Sequence, residues 1–208
     1  MKIAKIHTND IDSLIEIEKI VFPDTFNVKM GNYFLRKFFN AFTELPQYNA
    51  IVAQNNEKPI GFLLGYPYEE RGLLNKYLTK AFMQALIRNP FLVAKRDVIA
   101  KIIENIKNAL PGKTGSETKK VFDIDYSKAY YMFLIAITPD GRGLNLGRSL
   151  MLYMQELAEK DGYEYFLGSV ATENEKVLYL WNTIGYDIVD IEGNPDTKYV
   201  FKDTTKNN

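Results

Sequence analysis

A chain of 208 residues has room for one domain with a sizeable core and some elaboration. It is 46% hydrophobic and 25% charged, as a globular protein is, and its 26 basic residues balance 26 acidic ones, so no net charge points to nucleic acid or to an acidic partner. The absence of cysteine excludes a disulfide scaffold, a thiolate nucleophile and a Cys-based metal site.

Met1 to His7 carries no apolar signal core and no run of about 18 apolar residues follows, so a cytoplasmic address is expected, without membrane contact. Lys2 to His7 alternates apolar and polar residues, the pattern of a half-exposed strand. Thr8-Asn9-Asp10 offers helix N-caps, and Ile11, Leu14, Ile15, Glu18, Val21 and Phe22 follow at helical spacing. His7 is the one histidine, and at a strand end it reads as structural rather than as a catalytic base. Val21 to Phe26 forms an aromatic loop around Pro23, after which Val28 to Phe42 reads as a second helix with Phe34, Phe38 and Phe42 on one side. Tyr48–Gln54 and Pro59–Tyr66 read as a hairpin turning at Asn55-Asn56-Glu57-Lys58.

Residues 68–127 carry two amphipathic stripes. The first holds Leu74, Tyr77, Leu78, Ala81, Phe82 and Ala85, and the second Ile99, Ile102, Ile103, Ile106 and Leu110, with a break at Asn89-Pro90. Pro111-Gly112 ends the second stripe and Lys113 to Lys120 is a polar tract. This segment has 11 basic against 7 acidic residues. A helical cap with solvated lysines is its plainest reading. A homodimer contact or a partner surface are the others.

Tyr130 to Ile137 is free of charge and rich in aromatic and β-branched residues, which suits a strand buried on both faces. Thr138-Pro139-Asp140-Gly141 breaks it, and from Asn145 the period is helical, with Leu146, Leu150, Tyr153, Met154 and Leu157. Between them lies Arg142-Gly143-Leu144-Asn145-Leu146-Gly147-Arg148. A strand, a glycine-bearing loop and a helix leave backbone N–H groups aimed at one spot, where the helix dipole favours an anion. An ordinary turn with two solvated arginines is the alternative from this loop alone. Tyr163 to Ala171 reads as another strand, and Ile188–Ile191 and Tyr199–Lys202 as closing strands around Gly193-Asn194-Pro195-Asp196.

The loop resembles the acyl-CoA pyrophosphate motif of the GNAT superfamily of N-acetyltransferases, Arg/Gln-x-x-Gly-x-Gly/Ala, read here as Arg142-x-x-Asn145-x-Gly147. Asn replaces the middle Gly, and Asn tolerates left-handed backbone. A second stretch resembles the family's next motif: Asn174, then an aromatic seven residues on, then Gly185-Tyr186. The aromatic is Trp181 where the family commonly has Tyr.

The resemblance implies an α/β (α+β) fold, a GNAT-like mixed and splayed central sheet flanked by helices. It would be one domain over residues 1–208, with a helical insertion between the third and fourth strands at about 68–127. It also implies transfer of an acetyl group from acetyl-CoA to a primary amine of a small molecule by direct attack, with no metal. By the same resemblance Ile135, Ala136 and Ile137 give main-chain contacts to the pantetheine arm, and Arg142, Gly143, Leu144, Asn145, Leu146, Gly147 and Arg148 hold the pyrophosphate. Asn174 and Trp181 complete the cofactor side, and Phe22, Asp24 and Phe26 are the acceptor-side candidates. An indole does not titrate usefully, so the proton donor expected at position 181 is missing. Tyr130, Tyr131 and Glu173 are the remaining candidates for proton transfer. A non-catalytic acyl-CoA-binding domain, or an interaction module using the basic insertion, stays open.

Overall fold

The computed structural model describes residues 1–94, 99, 121–191 and 194–207. Seven strands form one sheet: β1 (Lys2–Lys5), β2 (Asn49–Asn55), β3 (Lys58–Pro67), β4 (Ala129–Ile137), β5 (Tyr165–Ala171), β6 (Asp187–Ile191) and β7 (Asn194–Asp203). Their spatial order is β1-β2-β3-β4-β5-β7-β6. Every neighbouring pair is antiparallel except β4 and β5.

The hairpin turn between β2 and β3 has Asn56 and Glu57 both at positive φ, the twist that a two-residue hairpin loop demands. β3 is buried on both faces, as its unbroken apolar run dictates. Phe62 and Leu64 join the core on one side of the sheet and Leu63 joins the core on the other. The first core is closed by helices α1 (Ile11–Val21), α2 (Phe26–Lys29), α3 (Asn32–Glu44) and α4 (Arg71–Arg88). The second is closed by α5 (Leu146–Lys160) and α6 (Glu175–Thr183). On α5, Leu150, Met151 and Met154 are fully buried, which contributes roughly 1.5–3 kcal/mol for each such side chain.

The single helix expected over 28–42 is two. Gly31 sits at φ 85 and ψ 176 as the N-cap of α3, so the chain leaves helical geometry there and restarts. Glycine pays little for that conformation. The corner frees Phe26 to pack edge-on against Phe34, with ring centroids 6.1 Å apart.

α4 is the longest described element of the insertion. It lies on α3, where the Tyr77 hydroxyl donates to Glu44 Oε2 at 2.8 Å and the Tyr33 hydroxyl to Gln84 Oε1 at 3.0 Å. Phe82 meets Phe26 at 5.8 Å between ring centroids. The second stripe expected at 99–110 and the polar tract 113–120 lie outside the described residues, apart from Ile99. Among the described residues no helix is long and apolar enough to cross a membrane.

Candidate active site

β4 and β5 pair over three residues only, Ala129 with Tyr165, Tyr130 with Phe166 and Tyr131 with Leu167. Beyond that rung each strand stays with its other neighbour, β4 with β3 and β5 with β7. A register shift helps to open this fork. Leu64 faces Leu134 but Gly65 faces Met132, which leaves Phe133 as the extra residue of a bulge. A bulge bends its strand and leaves the extra residue unpaired. Gly65 has to be glycine here, because a Cβ would come within 2.6 Å of Tyr130 Cε1.

The main chain of β4 divides between its two neighbours. Thr138 N–H donates to Ile60 O at 2.9 Å, and Ala136 faces Phe62 two residues earlier. In an antiparallel ladder alternate residues turn their N–H and C=O to one partner. Ala136 therefore spends its main-chain groups on β3, while those of Ile135 and Ile137 turn to the open edge. Of the three residues expected to offer main-chain groups to a pantetheine arm, Ile135 and Ile137 have them at the open edge and Ala136 has them on β3.

The fork opens into a cleft of about 890 Å³ that runs on to the head of α5. Pro139–Gly141 makes one 3-10 turn, Gly143 takes φ 80, and Asn145 takes φ 56 and ψ 21, a left-handed residue just before the helix. The Asn that replaces glycine thus sits where Asn is tolerated. Ser149 N–H closes the first bond on the helix, to Asn145 O at 3.2 Å. The N–H groups of Leu146, Gly147 and Arg148 precede it, and a helix leaves its first N–H groups to outside acceptors.

Arg142, Arg148 and Lys176 line this end of the cleft, and no Asp, Glu or His among the described residues does so. Arg148 reaches the Thr183 carbonyl at 3.4 Å, the limit of a hydrogen bond. Gly147 has a packing reason for its identity, since a Cβ would lie 2.8 Å from Leu180 Cδ2 on α6. Leu144 is largely exposed and lies outside the cleft lining, while Gly143, Asn145 and Leu146 belong to it.

Asn174 caps α6 with its carbonyl, which takes the N–H groups of Val177 and Leu178 at 3.0 Å each, and its side chain is left at the cleft. Trp181 lines the cleft at 3% exposure and stands edge-on to Tyr186, ring centroids 4.5 Å apart. Tyr179 points to solvent at 73% exposure.

Of the proton-transfer candidates, Tyr130 is buried on the α5 side, and its hydroxyl accepts Asn49 Nδ2–H at 2.9 Å. Desolvation holds that phenol well above its ordinary value, against the Asn49 bonds. Glu173 is exposed and does not line the cleft. Tyr131 faces the α3 side, and its hydroxyl lies 2.6 Å from Ser169 Oγ on β5.

On the acceptor side, Phe22 lines the cleft. Asp24 is exposed, Phe26 is packed against Phe34 and Phe82, and neither reaches the cleft. Of the three acceptor-side candidates Phe22 alone lines the cleft, beside Val21, because the α2 corner turns Phe26 inward.

Four residues came into view only with the structure: Phe133, Ser169, Lys176 and Glu18. Phe133 is 37% exposed in the cleft, stacked on Phe42 at 6.0 Å. Glu18 is buried on α1, one turn before Val21 and Phe22, and its signal was available: a carboxylate on the apolar stripe of its helix. Ser169 had none, because a serine in a strand is common.

No protein-family model and no curated protein matches the chain. Solved structures do. The chain is similar to a protein described as an acetyltransferase, at 14% identity and TM-score 0.63, covering 98% of this chain and all of that one. It is similar to aminoglycoside 6'-acetyltransferase type Ii, at 12% identity and TM-score 0.60, over 98% of this chain and 97% of that one. A third match is yncA of Salmonella typhimurium, a putative acetyltransferase solved with acetyl-CoA, at 12% identity and TM-score 0.58, over 98% and 93%. The chain has the GNAT fold of these structures. In this GNAT fold the forked strands and the head of α5 form a single continuous cleft.

Proposed function

We propose that this chain is an N-acetyltransferase that moves an acetyl group from acetyl-CoA to a primary amine of a small molecule. The observation that carries the reading is the fork, which leads without interruption to a cationic helix head. The head of α5, with Arg142, Arg148 and Lys176, suits a diphosphate. The open edges of Ile135 and Ile137 suit an extended amide-bearing arm laid along β4 like an added strand. At the far end the lining is Val21, Phe22 and Phe133. With no acidic side chain among the described lining residues, a cationic acceptor finds no counter-charge there. A neutral amine with an apolar body fits best, and holding it beside the thioester supplies up to ~7–11 kcal/mol of the barrier. That the similar structures include acetyltransferases, one solved with acetyl-CoA, supports the same reading.

Trp181 is the chain's one tryptophan and lines the cleft, so its emission reports occupancy. Titration with acetyl-CoA changes that emission saturably. Arg142→Glu, an exposed substitution, weakens the response by about 10–100-fold, from loss of a charge-assisted bond of roughly 1.5–3 kcal/mol. Gly147→Glu abolishes it, with circular dichroism checking that the Leu180 contact has not unfolded α6. An unchanged spectrum together with no calorimetric heat overturns the assignment.

A further inference from the structure

The cleft presents a chemical problem. Moving an acetyl group from sulfur to nitrogen also moves a proton, from the amine to the departing thiolate. Trp181 does not titrate usefully, and no carboxylate or imidazole lines the cleft among the described residues. The hydroxyl that does line it is Ser169.

Its position is specific. The β4–β5 ladder ends at Tyr131 and Leu167, and two residues on along each strand, past the last paired rung, stand Phe133 and Ser169. Tyr131, Phe133 and Ser169 share one face of the sheet: the rings of Tyr131 and Phe133 are 6.5 Å apart, and Tyr131 Oη lies 2.6 Å from Ser169 Oγ. An arm entering the fork from the head of α5 ends at that rung. Burial holds the Tyr131 phenol above its ordinary value, against the lowering effect of Ser169, so at neutral pH it is protonated and can donate to Ser169.

We propose that Ser169 is the proton shuttle of the transfer, and that Tyr131 is the residue that positions it. This rests on the acetyltransferase reading above. A serine hydroxyl has one proton to give and two lone pairs to receive. One lone pair takes the Tyr131 hydroxyl, and the other takes an N–H of the acceptor amine, which leaves the Ser169 proton free to point at sulfur. As the N–C bond forms and the C–S bond breaks, Ser169 Oγ receives the proton from nitrogen and passes its own to sulfur. The products are a neutral amide and a neutral thiol, and Ser169 ends as it began. No titrating acid or base is required, which accounts for Trp181 where a tyrosine would be expected.

The test uses acetyl-CoA with aniline, a primary amine that is neutral at neutral pH, and follows released thiol with a thiol-reactive chromophore, to which a chain without cysteine adds no background. Ser169→Ala lowers kcat by about 10²–10⁴-fold, the usual worth of general acid–base catalysis. Its acetyl-CoA affinity by Trp181 emission stays within about twofold, because the loss falls on the transition state alone. Ser169→Thr, which keeps the hydroxyl, retains activity to within about tenfold. Tyr131→Phe lowers kcat by about tenfold with the KM for acetyl-CoA held, a split that general loosening of the fork would not produce. Parent turnover with Ser169→Ala within about threefold of it overturns the shuttle and leaves the transferase reading standing. Saturable binding without turnover by the parent overturns transfer and shuttle together. Absence of binding overturns the cofactor site and everything built on it.

Discussion

Glu18 makes a prediction that depends on the fold and not on any ligand. It is 1% exposed on the inner face of α1, and one carboxylate oxygen has no hydrogen-bond partner among the described residues. Desolvation pushes its pKa from the ordinary 4.5 to about 7, against the lowering effect of a hydrogen bond from the Asn27 side chain. An acid that holds its proton more tightly when folded makes the native state bind more protons between those two values, so stability falls as pH rises through that window. Below 4.5 the folded and unfolded carboxyls are both neutral and the penalty vanishes; above about 7 both are ionised and the penalty is complete. At 1.36 kcal/mol per pH unit, the full penalty is about 3 kcal/mol. Glu18→Gln removes the charge and keeps the shape and the reach to Asn27. The measurement is urea unfolding of parent and variant at about pH 5 and about pH 8, where the difference between the two proteins cancels every other titration. The variant is expected to gain on the parent by ~2–3 kcal/mol between those two conditions. A difference that stays constant across them refutes the buried, uncompensated carboxyl.

Two further substitutions test the packing that holds the cleft open. Leu150→Ala removes a fully buried side chain between α5 and the sheet and is expected to cost ~2–5 kcal/mol by denaturant unfolding. Gly65→Ala drives a methyl to 2.6 Å from the Tyr130 ring. That ring is fully buried and tied to Asn49, so a loss of ~1–3 kcal/mol follows.

Local chemistry made much of this chain legible before any coordinates. The charge-free run Tyr130–Ile137, rich in aromatic and β-branched residues, is a strand as its composition predicts, though Phe133 within it is exposed to the cleft. The hairpin at Asn56-Glu57 is set by its own dihedrals, and Asn145 in left-handed backbone is a property of one residue and its neighbours. Where a local rule competed with a longer pattern, the pattern misled. The aromatic spacing across 28–42 spoke for one helix, and a single glycine at φ 85 divided it.

By itself, then, the sequence determined the strands of the sheet and their order, and two short motifs identified the fold that the sheet adopts, because periodicity and turn chemistry act over a few residues. Only the tertiary structure decided which groups meet in the fork. That Phe133 bulges, that Ser169 on β5 stands 2.6 Å from Tyr131 on β4, and that Glu18 is sealed rather than solvated are matters of register and burial between segments distant in the chain. A one-residue change of strand register would turn Tyr131, Phe133 or Ser169 to the other face of the sheet, and the burial of Glu18 follows from how α1 packs on that sheet.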